Sequence, residues 1–190
     1  MVTMAERRKA TDEKIYKAAV IEFGENGYSN TTLANVAKSS GITPGLIVQN
    51  FGSKENLFRK IAIDINTRIQ QELSDISSTW ELRCTSIVEN IIKMLKVEPE
   101  TIHYMKFYVS LITSLDTPED VIKELFEMYH RSPIEKIIKD AQSRGEVIDG
   151  DPYTVHSLFW INTINTICYC YTYDLDYPPT EWFLQIVRKR

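Results

Sequence analysis

Apolar residues recur along this chain at steps of three and four, with no stretch of strict alternation, so the pattern predicts helices from end to end. Ile15, Ala18, Ala19 and Phe23 mark the core face of a first helix over about 11–26, closed by Asn26 and Gly27. Leu33, Val36 and Ala37 mark a short second helix that starts at Thr31 or Thr32. Gly41 follows where the backbone must turn, since glycine takes positive φ without steric cost, and Ile42 supplies an apolar plug between two helices. A third short helix is expected from about Thr43 to Gln49. Thr43 is its N-cap, and Pro44 stands at the first helical position, where a missing N–H costs nothing. Ser53 suits the N-cap of a long helix through about Ile76, along which Leu57, Phe58, Ile61, Ile65, Ile69, Leu73 and Ile76 recur.

The remainder is marked more by its breaks than by its faces. A helix over 79–97, with Leu82, Ile87, Ile91, Met94 and Leu95, breaks near Pro99, and an aromatic-rich one is expected over 101–115. Pro118 opens a helix that runs to about Arg144 with Gly145 as its stop, and Pro133 within it must bend or split it by removing a backbone donor. Asp151 and Pro152 start the next, to about Leu175, and Pro178 and Pro179 separate it from a last helix through Arg190. The predicted fold is all-α. A three-helix helix-turn-helix domain over 1–55 is joined by the long helix, about 53–76, to a helical domain over 56–190.

Charge sharpens this division. The chain carries −4 overall, but residues 1–60 carry +3 and the remainder −7, which suits nucleic-acid binding by the N-terminal part alone. Cys84, Cys168 and Cys170 have no paired spacing, which argues for a reducing compartment rather than a disulfide framework. No apolar leader is visible at the N-terminus, and the most apolar stretch, 155–171, holds too many polar groups for a membrane span, so a cytoplasmic protein is expected. His103, His130 and His156 are scattered, and no phosphate loop, nucleophile elbow or metal-binding spacing appears. The expectation is no enzyme, no cofactor and no metal.

One segment is specific enough to suggest a family. Phe23 to Tyr28, Thr31 and Thr32, the spacing from Ala37 to Gly41 and Ile42, Gly45, and the run Phe51, Ser53, Lys54, Glu55 and Leu57 together resemble the TetR family of bacterial regulators, over about residues 8 to 62. The resemblance implies a recognition helix in the major groove. Carried over by position, Thr43, Gly45, Leu46, Val48 and Gln49 would face the bases, while Ile47 and Phe51 would be buried. Leu46 and Val48 can touch thymine methyls and Gln49 can pair with adenine in bidentate fashion, which implies an A·T-weighted half-site. Thr32, Asn50 and Lys54 would hold phosphates, and Arg7 and Arg8 on a leading arm would reach the backbone or minor groove. The family usually places an aromatic where Val48 stands and a tyrosine or histidine where Asn50 stands. This implies a different distribution of backbone contacts.

The resemblance also implies a helical body that dimerises through its last helices and encloses an effector cavity. Tyr104, Phe107 and Tyr108, with Trp160, Asn162, Asn165 and Tyr169, are candidate lining residues for a small hydrophobic or aromatic effector, and Asn162 and Asn165 are expected to be buried. Leu158, Phe159, Ile161, Ile164 and Cys168, with Trp182, Phe183 and Ile186, offer apolar surface for a homodimer. The function implied is a repressor that binds a palindromic double-stranded operator as a dimer and is released by the effector. Two alternatives stay open: a regulator controlled by a protein partner, and a helical interaction module that binds no DNA.

Overall fold

The computed structural model describes residues 3–74, 79–131 and 133–189. Ten helices make up nearly all of it: α1 (Met4–Asn30), α2 (Leu33–Ser40), α3 (Pro44–Phe51), α4 (Lys54–Ser74), α5 (Trp80–Val97), α6 (Thr101–Thr113), α7 (Glu119–Arg131), α8 (Ile134–Ser143), α9 (Pro152–Thr172) and α10 (Thr180–Leu184). Among the described residues there is no strand beyond one isolated antiparallel bridge between Val147 and Arg188. The chain divides into two compact units. The first comprises Met1–Ile65 and His103–Ile122, the second Asn66–Ile102 and Lys123–Arg190.

Side-chain caps set most of the helix ends. The α1 helix starts seven residues earlier than the apolar pattern suggests, because Thr3 and Glu6 form a reciprocal capping box. Gly27, at φ 75°, interrupts α1 where Asn26 and Gly27 were expected to end it. Thr32 caps α2 by accepting from the Asn35 N–H, Thr43 caps α3 ahead of Pro44, and Ser53 caps α4 by accepting from the Asn56 N–H. Pro133 divides the expected long helix into α7 and α8. The α4 helix reaches Ser74, and Ile76, its expected end, lies outside the described residues.

The C-terminus departs from expectation. Instead of a helix through Arg190, α10 stops at Leu184. The chain then passes through a turn at 185–187 to the bridge at Arg188, and the Val187 carbonyl accepts from the Ile148 N–H at 2.8 Å. Val187 is fully buried, and Arg188 and Lys189 pair with Glu81 and Asp149. The turn brings the Val187 carbonyl and Lys189 N–H to the 146–149 loop, contacts that a continued helix would replace with bonds to its own backbone.

In the first unit the core is aromatic. Phe23 of α1 meets Phe58 of α4 at 5.0 Å and Phe107 of α6 at 6.3 Å between ring centroids, and Phe58 meets Phe107 at 5.3 Å. Gly24 lets α6 come this close, since a Cβ there would lie 2.9 Å from the Phe107 backbone nitrogen. Beside the core, Asp116 accepts from the Ser29 N–H at 2.7 Å and Asp120 pairs with Arg59. In the second unit α5, α8, α9 and α10 pack together around Trp80, Ile138, Phe159, Ile167 and Phe183.

Hydrogen bonds from the Ser114 hydroxyl, then from Ser29, hold the Asp116 carboxyl down at about 2. A carboxyl whose folded pKa lies below its unfolded value of about 3.9 adds stability above that value and loses it as pH falls toward the folded one. Asp116→Asn is therefore expected to flatten the loss of stability between about pH 4 and pH 2. Chemical denaturation across that range checks this, and an unchanged acid slope would contradict it.

Candidate nucleic-acid interface

The α2 helix, the turn at Gly41 and the α3 helix form a helix-turn-helix. Gly41 sits at φ 70°, in left-handed backbone, and the Ile42 N–H donates to the Ala37 carbonyl to close the end of α2. Ile47 is fully buried, anchoring α3 on its inner side, while Ile42 is half-buried between the two helices. Opposite Ile47, Gly45, Val48 and Gln49 follow at i, i+3 and i+4, so they share one face, and all three are exposed, with Thr43 exposed at its leading end. Leu46 and Asn50 flank that face half-buried. Phe51, expected inside, is only half-buried, because it stands on the last turn of α3, where the chain swings out through Gly52.

Gly45 is informative because the fold does not need it. A Cβ there would meet no protein atom within 4 Å, and its backbone is not left-handed. Glycine costs a helix about 0.5–1 kcal/mol relative to alanine. A weak helix former thus stands on the exposed face of α3 with no packing reason for it.

The expected phosphate contacts prove to be engaged inside the protein as well. Lys54 Nζ donates to the carbonyl of Tyr28 at 2.9 Å and of Thr31 at 3.1 Å, and lies 4.1 Å from the centroid of the Tyr28 ring. It thereby closes the carbonyl end of α1, where a cation is favoured. Asn50 donates from its side-chain nitrogen to Asp12 at 2.7 Å, tying α3 to α1, and the Thr32 hydroxyl serves its own helix cap. Arg7 and Arg8 are exposed, but they stand in the first turns of α1 rather than on a leading arm. The reading of residues alone missed Asp12 and Tyr28 as partners. Only the T-x-x-E signal at Thr3 to Glu6 was available to place the two arginines.

The expected effector residues separate. Phe107 is sealed in the aromatic core of the first unit, where Tyr104 and Tyr108 are half-buried. Trp160 is buried in the second unit. The two asparagines expected to be buried are not. Asn162 is half-buried and donates to the Leu158 carbonyl of its own helix at 2.8 Å, and Asn165 is exposed, as is Tyr169 beside Tyr173. The buried stripe of α9 runs through Val155, Phe159, Thr163 and Ile167, and both asparagines fall off it. Among residues expected at a dimer contact, Phe159, Ile164 and Phe183 are consumed by their own chain, whereas Leu158, Trp182 and Ile186 are exposed.

No helix of the described residues is long and apolar enough to cross a membrane, and no group of three or more candidate metal ligands occurs among them. A capped helix-turn-helix with an exposed face on α3, followed by a helical body, has the layout of the helix-turn-helix class of DNA-binding proteins. Residues 15–61 match the model for bacterial regulatory proteins of the tetR family. The likeness to that family is thus carried by the N-terminal segment that holds the helix-turn-helix. It is 26% identical over 132 residues to the HTH-type transcriptional repressor AcnR of Corynebacterium glutamicum, a match covering 70% of this chain and 64% of AcnR. An HTH-type regulator of Mycobacterium bovis is 25% identical over 99 residues, 52% of this chain and 46% of that protein. The chain thus spans about half to two thirds of these relatives. The crystal structure of a TetR-family transcription regulator from Marinobacter aquaeolei superposes with a TM-score of 0.73 at 13% identity, covering 98% of this chain and all of that one, and so shares the fold.

Two substitutions separate reading from support. Gly45→Ala is expected to leave stability unchanged or raise it by up to about 1 kcal/mol while weakening DNA binding. Lys54→Met is expected to lower stability by about 1–2 kcal/mol through the lost carbonyl contacts. Urea denaturation and DNA titration of both variants check this. A destabilised Gly45→Ala, or a fully stable Lys54→Met, would contradict the assignment.

Proposed function

We propose that this protein is a dimeric, effector-responsive repressor that lays α3 in the major groove of each half of a palindromic operator. The observation that carries the reading is the outward face of α3. Thr43, Gly45, Val48 and Gln49 are presented together, and the glycine among them has no role in packing. Gln49 supplies the bidentate pattern suited to adenine, and Val48, 47% exposed, supplies an apolar contact for a thymine methyl. Leu46 enters at the flank. Arg7, Arg8 and the charge of Lys54 attract the phosphates, adding affinity that falls with salt and carries no sequence information.

Two reading helices must lie about 34–36 Å apart to meet successive major-groove turns, which requires a two-fold pair of chains. Leu158, Tyr169, Trp182 and Ile186 supply exposed apolar side chains for that pairing. Repression fits the name of AcnR. Release follows if an effector binds one dimer conformation better than the other, because a ligand shifts an equilibrium only by its differential affinity. The α4 helix, which runs from the reading unit into the second one, and α6, which brings Phe107 to Phe23, are the elements through which that shift reaches α3.

Enrichment of random duplex DNA on the purified protein is expected to return a palindrome weighted toward A·T. Gln49→Ala is expected to relax one position of each half-site at a cost of about 1–3 kcal/mol. Half-sites made of G·C alone, or a consensus untouched by Gln49→Ala, would contradict the assignment of Gln49. Failure to enrich any sequence at low salt from folded protein would favour an interaction module.

A further inference from the structure

A run of rings crosses the second unit from Tyr153 through Tyr129, His156, Trp160 and Phe159 to Trp80, successive centroids lying 4.9 to 6.2 Å apart. Within it, Nε1 of Trp160, Nε2 of His156 and Oγ1 of Thr163 are buried with no hydrogen-bond partner in the protein, as is Nε1 of Trp80. Residues 156, 160 and 163 stand at i, i+4 and i+7 on α9, so the three polar atoms share one stripe of that helix. All three residues are more than nine-tenths buried. Buried polar groups are nearly always paired, and several unpaired ones on a single stripe call for a common partner.

We propose that this stripe anchors an effector that is neutral, flat and largely apolar and carries a carbonyl oxygen. The proposal rests on the reading of the helical body as effector-responsive, and names the chemistry of its ligand. An indole N–H can only donate, so the ligand must bring an acceptor, which excludes an ammonium head as the anchor. The environment disfavours a carboxylate. Burial first, then the carboxylates of Glu135 and Asp151, push the Tyr129 hydroxyl up, and burial holds the His156 imidazole neutral, with its pKa down at about 3. Taking an anion out of water beside these groups costs far more than a ketone or lactone does. Edge-to-face rings accept a flat aromatic body by offset stacking. Phe126, in edge contact with Tyr153 and 44% exposed, places the outer end of the run at the surface.

The test follows the three tryptophan indole N–H resonances of the ¹⁵N-labelled full chain during titration with 1-indanone, with indane and benzoate as controls. The expected result is a shift of the Trp160 resonance by 1-indanone, binding of indane at least about tenfold weaker, and none of benzoate. Trp160→Phe and Thr163→Val each remove a polar atom without a protein partner. Thr163→Val is expected to melt no lower than the parent and Trp160→Phe lower, because the smaller ring leaves a cavity, and both to bind 1-indanone about tenfold more weakly. Equal binding of indane, no response of Trp160 to 1-indanone, or a Thr163→Val variant that melts lower and binds unchanged would overturn the anchor. The last result would point to internal water as the missing partner. Benzoate binding that survives both substitutions would overturn the anchor while leaving an effector-responsive body standing. Ketone binding that leaves operator affinity unmoved at saturation would support the anchor and remove the effector reading.

Discussion

The ring of Phe23 touches those of Phe58, Phe107 and Tyr28 at once, and through them it binds three helices that lie far apart in the sequence. Each such pair contributes about 0.5–1.5 kcal/mol beyond the burial of its area. The cluster is fully enclosed at Phe23 and Phe107, and the geometry of the reading unit depends on it. The position of α1 fixes α3 through the Asn50–Asp12 hydrogen bond, and the position of α4 fixes Lys54 against the end of α1. A small backbone at Gly24 is the condition for all of this, because any side chain there would push α6 away.

A core shared in this way has a functional consequence. Residues 103–122 belong to the same compact unit as the reading helices, and they hold it by aromatic contact, by the grip of Asp116 on the Ser29 N–H and by the pairing of Asp120 with Arg59. Whatever repositions this segment is felt at α1, and so at α3. The α4, α6 and α7 helices each have part of their length in the first unit and part in the second, so a ligand acting on the second has covalent routes to the first. The basic side chains then divide their labour. Lys54 serves the fold with two of its donors, whereas Arg7 and Arg8 stand exposed.

Much of this was legible in the sequence, for local reasons. Thr32, Gly41, Thr43 and Pro44 act through hydrogen bonds and backbone angles within a few residues, so their spacing alone located α2, the turn and α3. Pro133 split its helix for an equally local reason. The partners of Lys54 and Asn50 were illegible because they come from residues 26 and 38 positions away, and spacing carries no information about such pairs. The same holds for Phe107, whose helical spacing with Tyr104 and Tyr108 is equally consistent with lining a cavity and with meeting Phe23. Asn162 and Asn165 were misplaced because polar and apolar residues are spread around α9, and composition alone does not tell its buried stripe from its exposed one. The tail after Leu184 failed as a helix because a contact with Ile148, far back in the chain, sets its backbone.

The most direct measurement of the central claim is a hydroxyl-radical footprint of the full chain on its best-enriched duplex at moderate salt. Two protected patches on one face of the DNA, centred about one helical turn or a whole multiple of it apart, are what a two-fold pair of α3 helices predicts. Uniform weak protection that follows salt and ignores sequence, or a single patch on one half-site at saturating protein, would contradict it.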